Sequence, residues 1–378
     1  TTVRRGLTFT VAMMTAATAV QASPALSSRS RAAAPLRGAS AQPARRTLRA
    51  STSRVRASAE DAPVAEQQTK MVVAVTVATG FVGKALVDKL MADGHEVRIL
   101  TRNAISARLA MPNAALKGAK FYSWDTMKGK IEWYEAVKGC TGVVNLAGAP
   151  ISSPWNAEYK KTLVKSRIVT TRRVVDAINA LPAAERPTLV SSSAVGFYGS
   201  SKADAGFSEK ARAGKDFLAK LCVDWEKEAA RCDSTTTVVR TGVVLEKGGG
   251  ALAKILPVFQ LYGGGPLGSG KQFVSWIHRD DLVELFVRAL IEPKKYAGVV
   301  NGTAPVPTTM DGLCEAVAKA TDRPNWLPVP GLALRALLGE GATVVLDGQK
   351  VLPTRTRELG FEFKYENVEE ALEAIVAK

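Results

Sequence analysis

Met71-Val72-Val73-Ala74-Val75-Thr76-Val77-Ala78-Thr79-Gly80-Phe81-Val82-Gly83 is the stretch on which the fold turns. Its first seven residues are an apolar, largely β-branched run, which predicts a strand buried on both faces. A turn carrying Gly80 and Gly83 follows. Val82, Leu86 and Leu90 then recur at the spacing of one helix face. Asp93-Gly94 ends that helix, and Glu96 to Leu100 reads as a second strand. The unit is strand, turn, helix, strand.

The alternation continues outward. Lys120–Trp124, Gly142–Leu146, Thr188–Ser191 and Thr236–Leu245 read as strands. Helices are expected over Lys160–Leu181, with Val164, Ile168, Val175 and Ile178 on the buried face, and over Phe217–Arg231. Strands alternating with helices predict an α/β fold: a Rossmann-type, doubly wound parallel sheet covered on both faces. That domain spans 71–300, with segments of a smaller substrate lobe from about residue 245. Short helices and Pro-rich turns mark a small C-terminal domain over 301–378, and 60–70 reads as a linker.

Of the 378 residues, 46% are hydrophobic and 23% charged, which excludes a mostly disordered chain. The net charge of +16 is concentrated at one end. Residues 1–59 hold ten arginines, no lysine and no acid; subtracting those ten charges leaves +6 for the rest. A nucleic-acid partner is therefore not expected. The same segment is rich in Ala, Ser and Thr, the composition of a disordered organelle transit peptide. Val55-Arg56-Ala57-Ser58-Ala59 offers a processing site, and Met13 or Met14 a start. The address expected is the chloroplast: the stroma, with the inner-envelope surface as a second place. Mitochondrion and secretion are the alternatives. No apolar run is long enough for a transmembrane helix. Cys140, Cys222, Cys232 and Cys314 form no C-x-x-C pair and have no clustered histidine, so buried free thiols are expected and no metal site.

The turn follows a strand and opens a helix, the context that a dinucleotide fingerprint requires. Gly80 admits the backbone to a pyrophosphate, Gly83 lets the helix pack closely, and the helix start presents free N–H groups. Thr79, Gly80, Phe81 and Val82 are the expected contacts. Where an NAD-binding chain ends its second strand in an acid, this one reads Thr101-Arg102-Asn103. Arg102 lies 19 residues after Gly83 and suits a 2′-phosphate, so NADP(H) is the expected cofactor.

Several further stretches carry a resemblance: Asn145-Leu146-Ala147-Gly148, Ser191-Ser192-Ser193-Ala194, Phe217-Leu218-Ala219-Lys220-Leu221-Cys222-Val223-Asp224-Trp225-Glu226, Arg240-Thr241-Gly242-Val243-Val244-Leu245, Gly264-Gly265-Pro266-Leu267-Gly268-Ser269-Gly270 and Ser275-Trp276-Ile277-His278-Arg279-Asp280-Asp281-Leu282. Together with the first turn, they resemble the atypical extended short-chain dehydrogenases/reductases known as epimerase family proteins. The likeness covers about 71–378, and the C-terminal part resembles a small domain of unknown function attached to that branch. It implies that Asp125 contacts adenine and that Ala147 and Gly148 line the cofactor. It also implies a small-molecule substrate of unknown identity. Plastid members of the branch are linked to plastid division, which implies protein partners there. One position departs from the family pattern: Val77 stands where the first glycine of the turn belongs, and a β-branched residue resists positive φ.

Hydride-transferring members of the wider superfamily pair a Ser or Thr with Y-x-x-x-K, the Lys lowering the Tyr pKa. Ser193 matches the Ser. The helix that should carry the pair reads Asp216-Phe217-Leu218-Ala219-Lys220-Leu221-Cys222 and lacks it. Tyr198, with Lys202 four residues on, is the nearby substitute; it serves either as acid–base or as a lining or packing residue. Gly265–Gln272 imitates a phosphate loop without its Ser/Thr. His278 reads as a structural contact, and Asp280-Asp281 as the cap of a helix beginning at Leu282. The two functional readings are an NADP-dependent oxidoreductase or epimerase, and a non-catalytic nucleotide-binding protein acting through plastid partners.

Overall fold

A computed structural model describes residues 70–124, 130–201 and 204–377. Asp125, Lys202, and the transit peptide and linker (up to residue 69) lie outside the described residues.

Seven parallel strands form the central sheet: β1 (Val72–Thr76), β2 (Glu96–Thr101), β3 (Lys120–Ser123), β4 (Gly142–Asn145), β5 (Thr188–Ala194), β6 (Thr236–Thr241) and a last strand, Gly298–Gly302. Their spatial order is β3-β2-β1-β4-β5-β6, with Gly298–Gly302 beyond β6. Every pairing is parallel. The order reverses between β1 and β4, and a crevice opens at such a switch point beyond the carboxyl ends of the strands. Helices α1 (Phe81–Ala92) and α4 (Arg279–Ile291) cover one face through Leu86, Leu90, Leu285 and Phe286. Helix α2 (Ala157–Asn179) covers the other through Val174, Val175 and Ile178. Helix α3 (Phe217–Ala229) packs beside it.

Local chemistry explains where the structure departs from the sequence reading. On α2 the buried stripe runs through Leu163, Thr171, Val174 and Ile178, whereas Val164 is 39% exposed. The expected long strand over 236–245 breaks at Gly242, where an added Cβ would lie 2.4 Å from the Ser275 carbonyl oxygen. Val243–Leu245 leaves the sheet there and pairs with Trp276–His278. Helix α4 begins at Arg279, and its cap is His278, whose Nδ1 accepts from the Asp280 amide at 3.1 Å. Asp281 instead accepts from the backbone amides of Lys364 and Tyr365, at 2.9 and 3.0 Å.

The lobe beyond residue 245 has its own core, built on Phe259, Trp276, Leu313, Val317 and Leu372. It is stitched to the sheet domain by backbone bridges: Trp155 with Gly339, and Phe207 with Val351. The loop that imitates a phosphate site is a clamp within this lobe. Gln272 Nε2 donates to the carbonyls of Leu267 and Val345, at 2.8 and 2.9 Å.

Val77 takes φ +52, in the left-handed region that a β-branched side chain strains to enter. Replacing Val77 with Gly should remove roughly 1 kcal/mol of strain. Glycine's extra freedom in the unfolded chain offsets part of that, so the melting temperature should hold or rise by about 1 °C by calorimetry. A fall larger than glycine's unfolded-state freedom explains, about 1 kcal/mol, would show that Val77 is not strained.

Burial pushes the thiols of Cys140, Cys222 and Cys314 up to about 11, about 12 and about 12. A raised pKa leaves little thiolate, and thiolate is the nucleophile. Iodoacetamide at pH 8 should therefore spare all three in the folded chain and modify them in urea. Native labelling seen by mass spectrometry would contradict this.

Candidate active site

The first turn leaves β1 at Thr76 and is held at both ends. Val77 N donates to Leu100 O at 3.2 Å, and Gly80 N to Val77 O at 2.9 Å. Helix α1 starts at Phe81 with Gly80 as its cap, in extended backbone. A Cβ on Gly83 would lie 2.5 Å from Val77 O and 2.7 Å from Ala78 Cα, so only glycine lets helix and turn meet at this distance. The leading amides of α1 have no acceptor within the helix and carry its positive dipole end. That is the donor set a pyrophosphate requires. Thr79, Gly80, Phe81 and Val82 are all partly accessible at this turn.

The turn sits beside the end of β4. Thr76 Oγ1 donates to Asn145 Oδ1 at 2.9 Å and accepts from Leu146 N at 2.9 Å. Asn145 Nδ2 donates to Thr171 Oγ1 at 2.8 Å, and Trp225 Nε1 donates to the same oxygen at 2.9 Å. This buried network locks β1, β4, α2 and α3 together. Ala147 and Gly148 follow directly, Ala147 buried and Gly148 partly open. Arg102 is exposed, two residues beyond the Leu100 carbonyl that anchors Val77. Thr79, Gly80, Phe81, Val82, Arg102, Ala147 and Gly148 therefore share the carboxyl edge of β1, β2 and β4.

Phe81 also meets the lobe beyond residue 245. A Cβ on Gly249 would fall 2.0 Å from its ring, and the Arg279 guanidinium carbon lies 5.6 Å from its centroid. The Gly248–Gly250 loop thus closes over the start of α1. Lys254 spans the same gap, donating to the Ser152 hydroxyl at 3.0 Å and carbonyl at 3.2 Å. Burial pulls its pKa below the usual lysine range.

Ser193 and Tyr198 belong to a different constellation. Ser193, 3% exposed, donates to Glu226 Oε1 at 2.7 Å. Arg240 holds both oxygens of Glu226 in a fork, Nε and Nη2 each at 2.8 Å. Arg240 Nη1 donates to Tyr198 Oη at 3.0 Å, and that hydroxyl donates to Asn301 Oδ1 at 2.7 Å. The Arg240 guanidinium lies 3.3 Å from the Phe197 ring centroid. Tyr198 is itself 3% exposed, and burial holds its phenol above the ordinary value despite the Arg240 charge. Its hydroxyl thus faces the interior, as a packing partner of Arg240.

Glu226, Arg240, Thr171 and Lys254 escaped the sequence reading as site residues. An acid deep in α3 has no local signal; only its pairing with an arginine 14 residues on, in β6, gives it meaning. Glu246, His278 and Asp280 present ligand-type atoms within 4.8 Å of one another. Arg279 already supplies the positive charge there, 3.0 Å from Glu246 and 3.6 Å from Asp280.

Residues 73–301 match the model of the NAD dependent epimerase/dehydratase family, and residues 329–375 match a domain of unknown function, DUF1731. "Epimerase family protein SDR39U1 homolog, chloroplastic" of Arabidopsis thaliana is 51% identical over 314 residues, 82% of this chain and 88% of that protein. The crystal structure of human epimerase family protein SDR39U1 (isoform 2) with NADPH superposes with a TM-score of 0.72 at 34% identity, covering 82% of this chain and all of that one. A nucleoside-diphosphate sugar epimerase from Corynebacterium glutamicum superposes at 0.64 and 27% identity, over 82% of this chain and 59% of the other. With a glycine-bearing first turn at the switch point of a parallel sheet, and a family model matching most of the chain, the protein belongs to the NAD-dependent epimerase/dehydratase family.

Proposed function

We propose that this chain binds NADP(H) at the β1–β4 switch point and acts in the plastid as an oxidoreductase or epimerase on a small molecule. The observation that carries the reading is the backbone-to-backbone contact of Gly83 on Val77, which aims the amides of α1 at the crevice. The NADPH in the human relative's structure and the chloroplastic name of the Arabidopsis relative support cofactor and location.

In this reading the amides beside Thr79, Gly80, Phe81 and Val82 take the pyrophosphate, and Asp125 takes the adenine. Arg102 pairs with the 2′-phosphate, since a guanidinium matches that dianion and an acid would repel it. Ala147 and Gly148 offer a small-residue wall to the cofactor. Bound there, the nicotinamide supplies hydride chemistry. Ser193 is the proposed polar group at the reacting end. Its hydroxyl, released from Glu226 Oε1, donates a hydrogen bond to the substrate oxygen, while Glu226 keeps its fork with Arg240. Tyr198 contributes by fixing Arg240 and Asn301, and so the end of β6.

A second reading draws on one observation. The hydroxyls of Ser193 and Tyr198 both serve the Glu226–Arg240 cluster, and α3 lacks the usual Tyr–Lys pair. A nucleotide-binding protein without turnover, working through partners in plastid division, uses the same crevice.

Arg102→Asp should weaken NADPH binding at least tenfold and leave NADH within about twofold, by fluorescence titration. Equal effects on both nucleotides would remove Arg102 from the site. Ser193→Ala loses one buried hydrogen bond, about 1 kcal/mol of stability. It should abolish NADPH oxidation across a panel of carbonyl substrates. The second reading gains if the wild type binds NADPH, turns over nothing, and Ser193→Ala restores a deletion strain.

A further inference from the structure

The end of β4 carries a cation that the nucleotide reading does not use. Arg167 projects from α2, half-buried, onto the loop after β4. A Cβ on Gly148 would lie 3.1 Å from its Cζ and 3.1 Å from its Nη2. Nη2 donates to Ala149 O and Nη1 to Leu163 O, each at 3.2 Å. Its Cζ lies 5.2 Å from the Trp225 ring centroid.

Carbonyls and an aromatic face accept from a guanidinium without cancelling its charge. Among the described residues, no carboxylate lies within ion-pair distance of Arg167. Its two acidic neighbours do not substitute for one. Burial pushes the Cys222 thiol up to about 12, so it stays neutral, and the Tyr159 hydroxyl donates to Pro150 O. Burial also pulls the Arg167 pKa down, as expected of a charge short of compensation. Two other withdrawn arginines are matched: Arg240 by both oxygens of Glu226, Arg279 by Glu246. Charges withdrawn from water are normally paired.

Its position is informative. Cys222 and Trp225 lie on α3, the helix without the Tyr–Lys pair. Arg167 brings positive charge to that helix from its neighbour, at the edge where Gly148 stays partly open. A planar fork with unused N–H groups suits a carboxylate or phosphate oxygen pair.

We propose that Arg167 binds the anionic group of the small-molecule substrate, a carboxylate or a phosphate, beside Gly148 and Ala149. This deepens the function proposed above and rests on it for the neighbouring nicotinamide.

The test titrates the NADPH-loaded full chain with inorganic phosphate and, separately, with oxalate, followed by calorimetry. Pre-loading fills the helix-α1 site, so remaining anion binding reports elsewhere. The wild type should bind at least one probe saturably, and the preferred probe names the anion. Arg167→Gln keeps a neutral amide donor and loses the charge; it should weaken that probe at least tenfold. Arg167→Lys should retain measurable binding. NADPH affinity and melting temperature should stay near wild type in both.

No saturable binding of either probe, or equal binding by wild type and Arg167→Gln, overturns the proposal. So does a tenfold loss of NADPH affinity in Arg167→Gln, which makes Arg167 a nucleotide residue. If the wild type binds no NADPH, the cofactor reading fails on its own. The same titrations without nucleotide then decide Arg167 by whether Arg167→Gln loses the probe.

Discussion

Backbone rests on backbone where α1 leaves the first strand, and the rest of the crevice follows from that contact. With Gly83 pressed onto Val77 O and Ala78 Cα, the helix axis is aimed at one point beyond the sheet edge. The approach leaves no space for a side chain, so the turn must bend sharply, and Val77 is carried into positive φ. The strain persists because its surroundings over-determine it. Leu100 holds the Val77 amide, and Thr76 is tied to Asn145 and Leu146. A turn that glycine would adopt freely is here enforced by two neighbouring strands.

A second constraint organises the opposite end of the crevice. Glu226 and Arg240 are withdrawn from water, and such a pair persists only when its remaining donors and acceptors are satisfied. Ser193 satisfies one carboxylate oxygen; Tyr198 and the Glu209 carbonyl take the last guanidinium nitrogen. Through Tyr198 and Asn301 the network reaches the outermost strand and then the Leu352 carbonyl. The C-terminal segment is thus part of the same polar framework. Gln349 donates to Val195 O, and Ser201 N to Gly348 O. That segment is thus tied to the end of β5, the strand that carries Ser193.

These two constraints divide the chemistry. Near β1 and β4 the geometry is set backbone against backbone, through Gly83 on Val77 and Ala78. Near β5 and β6 side chains supply everything, and their hydroxyls are already engaged by the ion pair. Arg167 stands between the two regions as a charge whose partners are all neutral.

Residues alone fixed the alternation of strands and helices, because β-branched runs and an i, i+4 apolar spacing are local properties. They also placed the glycine-bearing turn between the first strand and α1, because a helix that packs closely on its strand needs small residues there. They marked Val77 as the departure, because a β-branched side chain in a glycine turn conflicts with backbone sterics. Only the tertiary structure decided that the strand after β6 breaks at Gly242, where another segment's carbonyl crowds the backbone. It also decided that His278 caps α4, that Tyr198 faces Arg240, and that Arg167 reaches Gly148. Each of these depends on which distant residue arrives within bonding distance, and no local pattern in a chain encodes the partner of a buried charge.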